Sequence, residues 1–214
     1  MTEVRKYNSK PFSVQSPTSL GGIAFKTPNF TATGNVKMLS GASIIRRAIV
    51  RNLPSARHQV QPCGVDVSLR RVLQWTSPAT IDYDNLRRKA ASTTEVPFNG
   101  TTQTVTLPQG SYLVEFNETV HIPLDCMGQL FARSSLWRSG ALVTAGVIDA
   151  GYEGALGALL EVKNPHGIVL YKDAKLGQVT LHQLEGEVEG YSGIYQSSTS
   201  TVGRDGPAAT SGPV

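Results

Sequence analysis

Residues 131–154, FARSSLWRSGALVTAGVIDAGYEG, combine a compact group of cationic and hydroxyl side chains with an aspartate that ends an apolar run. The group consists of Arg133, Ser134, Ser135 and Arg138. Guanidinium groups donate forked, charge-assisted hydrogen bonds and hydroxyls donate shorter ones, so these residues can bind a polyphosphate. Surface arginines beside a capped turn are the alternative interpretation, and composition alone favours neither.

Asp149 lies between the apolar residues before it and the turn sequence AGYEG. An aspartate at a strand end beside a phosphate site can orient or deprotonate a water molecule. The alternative is an Asx turn, in which the carboxylate accepts a hydrogen bond from nearby backbone. Taken by itself, the local sequence favours the Asx turn.

Short segments of alternating polarity lie on both sides of this stretch, separated by Gly and Pro. They cover residues 65–69, 102–107, 112–116, 119–123, 167–171 and 178–184. Such spacing is typical of an all-β barrel, sandwich or jelly roll. One short helix is predicted over 42–52, capped by Ser40, with Ile44, Ile45, Ala48 and Ile49 on its apolar face.

Composition divides the chain into three parts. Residues 1–36 are turn-rich and predict a flexible extension, 37–196 predict the folded domain, and 197–214 predict a flexible polar tail. Residues 76–101 are polar and predict a long loop. Of the 20 basic residues, nine lie in the first sixty positions together with one acidic residue. A soluble tail is favoured there over a nucleic-acid contact, because these charges are scattered.

Several classes of protein are excluded or disfavoured. No apolar run is long enough to span a membrane. Cys63 and Cys126 are too few for a disulfide scaffold or a four-cysteine zinc site, and a cytoplasmic location is therefore expected. The composition of the first residues is a weak indication of organelle targeting. The four histidines lack metal-ligand spacing, and the zinc deaminase pattern is absent, so no zinc is expected.

Motifs across the domain carry a family resemblance. ARSSLWRSG, TAGVIDAGYEG, KLGQVTLHQL and YSGIYQ follow in order over 132–196, after QPCGVDVSL (61–69) and LPQGSYLVEFNETVHIP (107–123). Together they resemble the superfamily of trimeric dUTPases and dCTP deaminases, with the RSSLxR form and the YSGIYQ ending closer to the deaminase branch. The resemblance implies a distorted jelly roll (a dUTPase-like β-clip) and a homotrimer with active sites between subunits.

The resemblance implies one of two reactions. A dUTPase hydrolyses dUTP to dUMP and pyrophosphate, with Mg²⁺ on the triphosphate, and this is the predicted activity. A dCTP deaminase of this superfamily needs no zinc and uses a glutamate five residues after the final Gly of the aspartate motif. Here that position holds Leu159, which cannot transfer a proton, although Glu161 lies two positions further on the same strand face. Deamination, alone or coupled to hydrolysis, is therefore the alternative.

A third alternative is a family member without catalysis that binds nucleotide or nucleic acid. It arises from Leu159 and from Ile194, which occupies a position where the deaminase branch usually has a phosphate-binding lysine. Arg204 could replace that missing charge. We do not expect nucleic acid or a membrane as a partner.

The resemblance also assigns roles by position. Asp149 is the expected catalytic carboxylate, and Glu161 is the candidate proton carrier of a deaminase. The expected substrate-binding residues are Arg133, Ser134, Ser135, Arg138, Ala145, Gly146, Tyr152, Gln178, Tyr195 and Gln196. Asp66 matches a motif aspartate that supports metal in some relatives and otherwise braces the fold.

Overall fold

The computed structural model describes residues 37–207. The extension predicted over 1–36 and the end of the predicted tail, 208–214, lie outside this range. The elements in chain order are α1 (Gly41–Arg46), β1 (Val50–Arg51), α2 (Ala56–Gln59), β2 (Val60–Gln61), β3 (Gly64–Trp75), β4 (Thr93–Val96), β5 (Thr104–Leu107), β6 (Gly110–His121), β7 (Cys126–Ala132), α3 (Ser134–Arg138), β8 (Ala141–Thr144), β9 (Val147–Ile148), β10 (Glu153–Val162), β11 (Ile168–Tyr171) and β12 (Lys175–Gln183). Within residues 37–207, no helix is long and apolar enough to cross a membrane.

Antiparallel pairing joins most strands into one curled sheet. Its order is β8-β10-β6-β3-β12-β7-β9, with β1 beside β6 and with β2 and β4 beside β3. β5 and β11 form a separate two-stranded ribbon. The predicted all-β class is confirmed.

Strand β3 connects the two halves of the sheet. Its first residues, through Ser68, pair with β12, and its later residues, from Leu69, pair with β6. Both pairings contain a register shift, which lets the strand bend between its two partners. Buried side chains from both halves, with Phe116, Leu69 and Leu181 among the largest, fill the core between them.

Helix α1 is shorter than predicted. Ser40 caps it as expected, since the Ser40 hydroxyl accepts from the Ser43 N–H at 3.3 Å. The helix ends at Arg46 because Ala48 adopts a left-handed conformation with φ of 51°. The chain then enters β1, which pairs with β6 at Val50 and Val120. The apolar spacing therefore marked Ile44 and Ile49, which are buried, but it overestimated the length of the helix, and Ala48 is exposed.

Strand β6 is continuous where the sequence predicted a break between 116 and 119. The predicted break covers Asn117 and Glu118, yet Glu118 is fully buried within the strand. Its carboxylate accepts hydrogen bonds from the Ser68 N–H at 2.8 Å and the Ser68 hydroxyl at 2.7 Å. Such bonds satisfy a buried carboxylate, so a charged residue does not interrupt the sheet.

Two segments without strand periodicity have fixed places in the structure. The predicted loop 76–101 contains β4, which pairs with the end of β3. Residues 197–207, predicted as part of a flexible tail, lie against the sheet: Ser198 is buried and bridges Gly154 in parallel. Their polar composition gave no sign of this contact, because the partners are buried polar groups of the sheet.

Candidate active site

A cavity of about 500 Å³ lies between strand β10 and the segment that follows β8. Its lining comes from four parts of the chain that are distant in sequence. The residues are Leu113, Thr144, Ala145, Gly146, Val147, Ile148, Asp149, Tyr152, Ala155, Leu156, Gly157, Ala158, Leu159, Tyr191, Tyr195, Ser198, Ser200 and Thr201. Of the residues predicted from sequence, the cavity therefore brings together Asp149, Ala145, Gly146, Tyr152 and Tyr195.

Asp149 directly follows β9 and faces solvent at the edge of the cavity. Within residues 37–207 no hydrogen bond or ion pair uses its carboxylate, so the Asx-turn alternative does not apply. The turn is instead held by backbone: the Tyr152 N–H donates to the Asp149 carbonyl at 3.1 Å, and the Gly151 N–H donates to the Ile122 carbonyl at 2.9 Å. The backbone of the turn is thus held in place, and the carboxylate is available to a ligand.

Gly151 is required in this turn for two reasons. Its φ is 78°, in the left-handed region that favours glycine. A Cβ at this position would also lie 2.6 Å from the Gly190 Cα. The close approach lets the segment before the tail pack directly on the turn that carries Asp149.

Tyr152 forms a half-buried wall of the cavity. Its hydroxyl donates to the Ala155 carbonyl at 2.9 Å, and its ring meets the Tyr191 ring edge-on with centroids 5.6 Å apart. Burial, with a smaller contribution from Tyr191, raises the pKa of the Tyr152 hydroxyl above its ordinary value. The group therefore stays neutral at physiological pH and presents an aromatic surface of fixed orientation.

Gln196 has a role that the sequence did not indicate. Its side-chain oxygen accepts from the Glu153 N–H at 3.0 Å, and its side-chain amide donates to the Gly151 carbonyl at 2.8 Å. Both ends of the amide are thus bound to the backbone around the Asp149 turn. Gln196 attaches the tail to this turn rather than extending into the cavity.

Tyr195 is held by the segment that was predicted as a loop. Arg88 donates to the Tyr195 hydroxyl, and its guanidinium lies 5.0 Å from the ring centroid. The same segment makes a second contact with the tail, in which the Gly206 N–H donates to the Arg88 carbonyl at 2.8 Å. Arg204 donates to the Ile194 carbonyl at 2.7 Å, which brings a positive charge next to the position where the lysine is missing.

The predicted phosphate-binding residues form a second group, away from this cavity. Ser134, Ser135 and Arg138 are exposed on α3, and none of them lines the cavity. The Arg138 guanidinium lies 4.4 Å from the Trp137 ring centroid. Gln178 lies on β12, in register with Asp66 of β3. Within one chain, therefore, Asp149 and the predicted phosphate-binding group do not meet.

Asp66, the predicted metal-supporting residue, is buried and paired with two cations. It is 2% exposed, and its Oδ2 lies 3.0 Å from the Lys175 Nζ and 3.3 Å from the Arg133 Nε. Gln61 donates to the same oxygen at 3.1 Å. Two cations already balance the charge, so Asp66 braces the fold in this structure, and its support of a metal stays a prediction. Residues 37–207 also contain no cluster of three or more His, Cys, Asp or Glu side chains that could hold a metal ion.

Glu161 lies on the predicted strand face but does not line the cavity. Leu159 occupies the lining position, whereas the Glu161 carboxylate forms an ion pair with the Lys163 Nζ at 2.6 Å. The strand is regular between these positions, since Leu159 and Glu161 pair with Leu113 and Ser111 of β6 without a shift. The register shift in the β10–β6 pairing falls earlier, between Ala155 and Gly157, and its extra residues lie on β6, so β10 has no bulge there that would bring Glu161 forward.

Several site residues were not identified from the sequence. They are Tyr191, Ser198, Ser200 and Thr201, which line the cavity, and Glu115, which contacts the last two. The one available signal was Glu115, a carboxylate within the apolar segment LVEF of a predicted strand. Ser and Thr in a low-complexity tail give no such signal.

Comparison with known proteins gives a consistent result. Residues 38–184 match the family described as dCTP deaminase-like. Proteins named "Probable deoxyuridine 5'-triphosphate nucleotidohydrolase" are similar to the chain. The one from Methanosarcina mazei is 37% identical over 70% of this chain and 87% of its own length. The one from Archaeoglobus fulgidus is 35% identical over 72% of this chain and 89% of its own length.

Among solved structures, the 2'-deoxycytidine 5'-triphosphate deaminase from Agrobacterium tumefaciens has a similar fold. The TM-score is 0.53 at 17% identity, over 69% of this chain and 48% of that chain. At this identity the likeness supports the fold alone. It agrees with the curled antiparallel sheet described above.

Proposed function

Because this chain belongs to the dCTP deaminase-like family, we propose that it is a nucleotide hydrolase that converts dUTP to dUMP and pyrophosphate. The observation that carries the proposal is the Asp149 carboxylate, held on a fixed turn at the edge of the cavity and without a partner among residues 37–207. Relatives of 35–37% identity that carry the dUTP nucleotidohydrolase name support the choice of substrate.

In the proposed reaction, dUTP binds in the cavity, and a Mg²⁺ ion that accompanies its triphosphate would neutralise part of the phosphate charge. A water molecule held by Asp149 attacks the α-phosphorus; the new P–O bond forms as the bond to the bridging oxygen breaks, and pyrophosphate leaves. Mg²⁺ ordinarily binds through substrate phosphates and few protein ligands, so here it would be held mainly by the substrate. Asp149 orients the water and accepts its proton.

The other side chains of the cavity have positioning roles in this proposal. The Tyr152 ring packs against the deoxyribose, where a 2'-hydroxyl would collide with it. The exposed backbone at Ala145 and Gly146 contacts the pyrimidine. The apolar residues Leu113 and Leu159 exclude water from the base.

The phosphates are bound from a neighbouring subunit in this proposal. Arg133, Ser134, Ser135, Arg138 and Gln178 lie away from the cavity of their own chain, while a triphosphate at Asp149 needs cationic partners. A homotrimer with sites between subunits would bring the two groups together. A cytoplasmic location is part of the same proposal and is supported by the free thiols of Cys63 and Cys126.

One assay tests the proposed reaction against the alternative. The purified protein with Mg²⁺ is given dUTP and dCTP separately, and the products are separated by chromatography. We expect dUMP and pyrophosphate from dUTP, and unchanged dCTP, because Leu159 stands at the lining position and Glu161 is paired with Lys163. Uracil products from dCTP would show deamination, and turnover of neither nucleotide would contradict both reactions.

A further inference from the structure

Glu115 is a fully buried carboxylate at the centre of strand β6, outside the residues assigned above to the reaction. In the sheet it is paired with Arg71 of β3 on one side and with Gly157 of β10 on the other. A buried charge is destabilising unless it is paired and hydrogen-bonded. The groups that surround Glu115 therefore indicate what the residue does.

Two arginines supply the compensating charge. The Arg71 Nη2 lies 3.1 Å from the Glu115 Oε2, and the Arg70 Nη1 lies 3.2 Å from its Oε1. Arg71 is also 3.8 Å from Glu95, an exposed carboxylate that forms no hydrogen bond with residues 197–207. Glu115 and Glu95 thus both pair with Arg71, but only Glu115 also binds the C-terminal segment.

The remaining partners of Glu115 all come from the C-terminal segment. Its Oε2 accepts from the Thr201 N–H at 2.9 Å, the Ser200 hydroxyl at 2.9 Å and the Thr201 hydroxyl at 3.3 Å. Burial alone would raise the pKa of Glu115, but the hydrogen bonds from Thr201, Arg71 and Ser200 lower it below its ordinary value. The acceptor is therefore ionised at physiological pH.

Gly157 provides the space for this contact. A Cβ on Gly157 would lie 2.6 Å from the Thr201 Cβ, a distance that side chains do not adopt. Glycine thus lets the Thr201 side chain lie directly on β10, beside Glu115. The register shift between β10 and β6, between Ala155 and Gly157, falls at the same point.

Ser200 and Thr201 line the cavity that holds Asp149. We propose that Glu115 is a positioning residue, which fixes Ser200 and Thr201 as one wall of the active site and thereby sets the affinity for the nucleotide. Glu115 itself does not line the cavity and acts through the tail. The inference rests on the proposed function for the identity of the nucleotide.

The test is the variant Glu115→Gln, with Glu95→Gln as the matched control on the same arginine. Hydrogen exchange of the segment 197–207 is measured by mass spectrometry on the whole protein without nucleotide, and KM and kcat for dUTP are measured in parallel. For Glu115→Gln we expect at least tenfold faster exchange of the segment, a KM raised about tenfold (a loss of one to two hydrogen bonds) and a kcat within about twofold of the original. Glu95→Gln should change none of these.

A second variant avoids changing the buried charge. The double substitution Ser200→Ala with Thr201→Val removes both hydroxyl donors and keeps the Thr201 N–H, so it should shift exchange and KM in the same direction by a smaller factor. If Glu115→Gln does not fold, this double substitution tests whether Glu115 holds the segment. Unchanged exchange in the variants would overturn the proposed anchor, and faster exchange with an unchanged KM would overturn its positioning role. Absence of dUTP turnover in the original protein would instead contradict the proposed function, while the exchange measurement would still decide whether Glu115 holds the segment.

Discussion

The regions around Asp149 and Asp66 differ in how each aspartate is used. Asp149 is exposed at the edge of a cavity, and no side chain of residues 37–207 pairs with it. Asp66 is buried, with Lys175 and Arg133 both within 3.3 Å of one oxygen. Both aspartates belong to motifs of the same family resemblance, yet only one carboxylate is free to act on a ligand. The comparison teaches that a motif aspartate paired with protein cations has a structural role, whereas an unpaired one is available for chemistry.

The difference extends to the neighbours of each aspartate. The Asp149 region provides an apolar and aromatic cavity but no cation that lines it. The Asp66 region carries the exposed residues Ser134, Ser135 and Arg138, none of which lines the cavity at Asp149. Each region thus supplies what the other lacks, as expected for a site assembled from two subunits.

The largest expected effect comes from Asp149→Asn. The amide keeps the shape of the side chain but cannot accept a proton from water, so we expect kcat for dUTP to fall by about a thousandfold. The free energy of unfolding should change by less than about 0.5 kcal/mol, because no protein contact is lost. Steady-state kinetics and urea unfolding measure the two quantities. A variant with near-normal turnover would show that the free carboxylate is not the catalytic one.

Mixed oligomers test whether the two regions cooperate across subunits. Asp149→Asn and Arg138→Ala chains are unfolded together in equal amounts, refolded and assayed. If each site takes Asp149 from one chain and Arg138 from another, about a quarter of the sites carry both original residues, and activity returns to about that fraction. Each variant refolded alone is the control. No recovery above the mean of the two variants would show that each site is built within one chain.

Asp66→Asn should affect stability rather than chemistry. Removing the carboxylate leaves Lys175 and Arg133 without their buried partner, although both remain about one-third exposed and partly hydrated. We expect the free energy of unfolding to fall by about 2–3 kcal/mol, below the usual cost of breaking a fully buried pair. Urea unfolding monitored by tryptophan fluorescence measures this. Unchanged stability would contradict the structural role of Asp66.

The smallest expected effect is that of Glu161→Gln. The Glu161 carboxylate pairs with Lys163 and does not line the cavity, so kcat and KM for dUTP should stay within about twofold. The same assays measure both constants. A large loss of activity would show that Glu161 acts in the site and would support the deaminase mechanism.

Much of the fold could be predicted from the sequence, because strands buried on one face leave an alternating pattern. The segments at 102–107 and 178–184 became β5 and β12. The predicted length of the helix was wrong because Ala48 adopts a left-handed conformation, which turns the chain into β1. No local sequence pattern indicates this conformation. The predicted break at Glu118 was wrong because the Glu118 carboxylate is hydrogen-bonded by Ser68, fifty positions earlier in the chain. A local pattern cannot indicate so distant a partner.

The candidate site was predictable only where a motif specifies it. Asp149, Tyr152 and the Ala145–Gly146 backbone were identified by motif position, and they line one cavity. The anchors of the tail were not, because Gln196, Arg88 and Glu115 act through contacts between segments that lie far apart in the chain. Those contacts depend on backbone geometry, such as the close approach of Thr201 to Gly157. Such geometry cannot be inferred from a single sequence.

The position of β12 has a consequence for how the chain folds during synthesis. β12 lies between β3 and β7, and those two strands are neighbours only through it. Although β3 ends at Trp75, its pairing with β12 must wait until residues 175–183 have left the ribosome. Until then, the edges of β3 and β7 that later pair with β12 stay open, and unpaired edges are sites of aggregation. The speed of translation through the last third of the chain should therefore influence the yield of soluble protein.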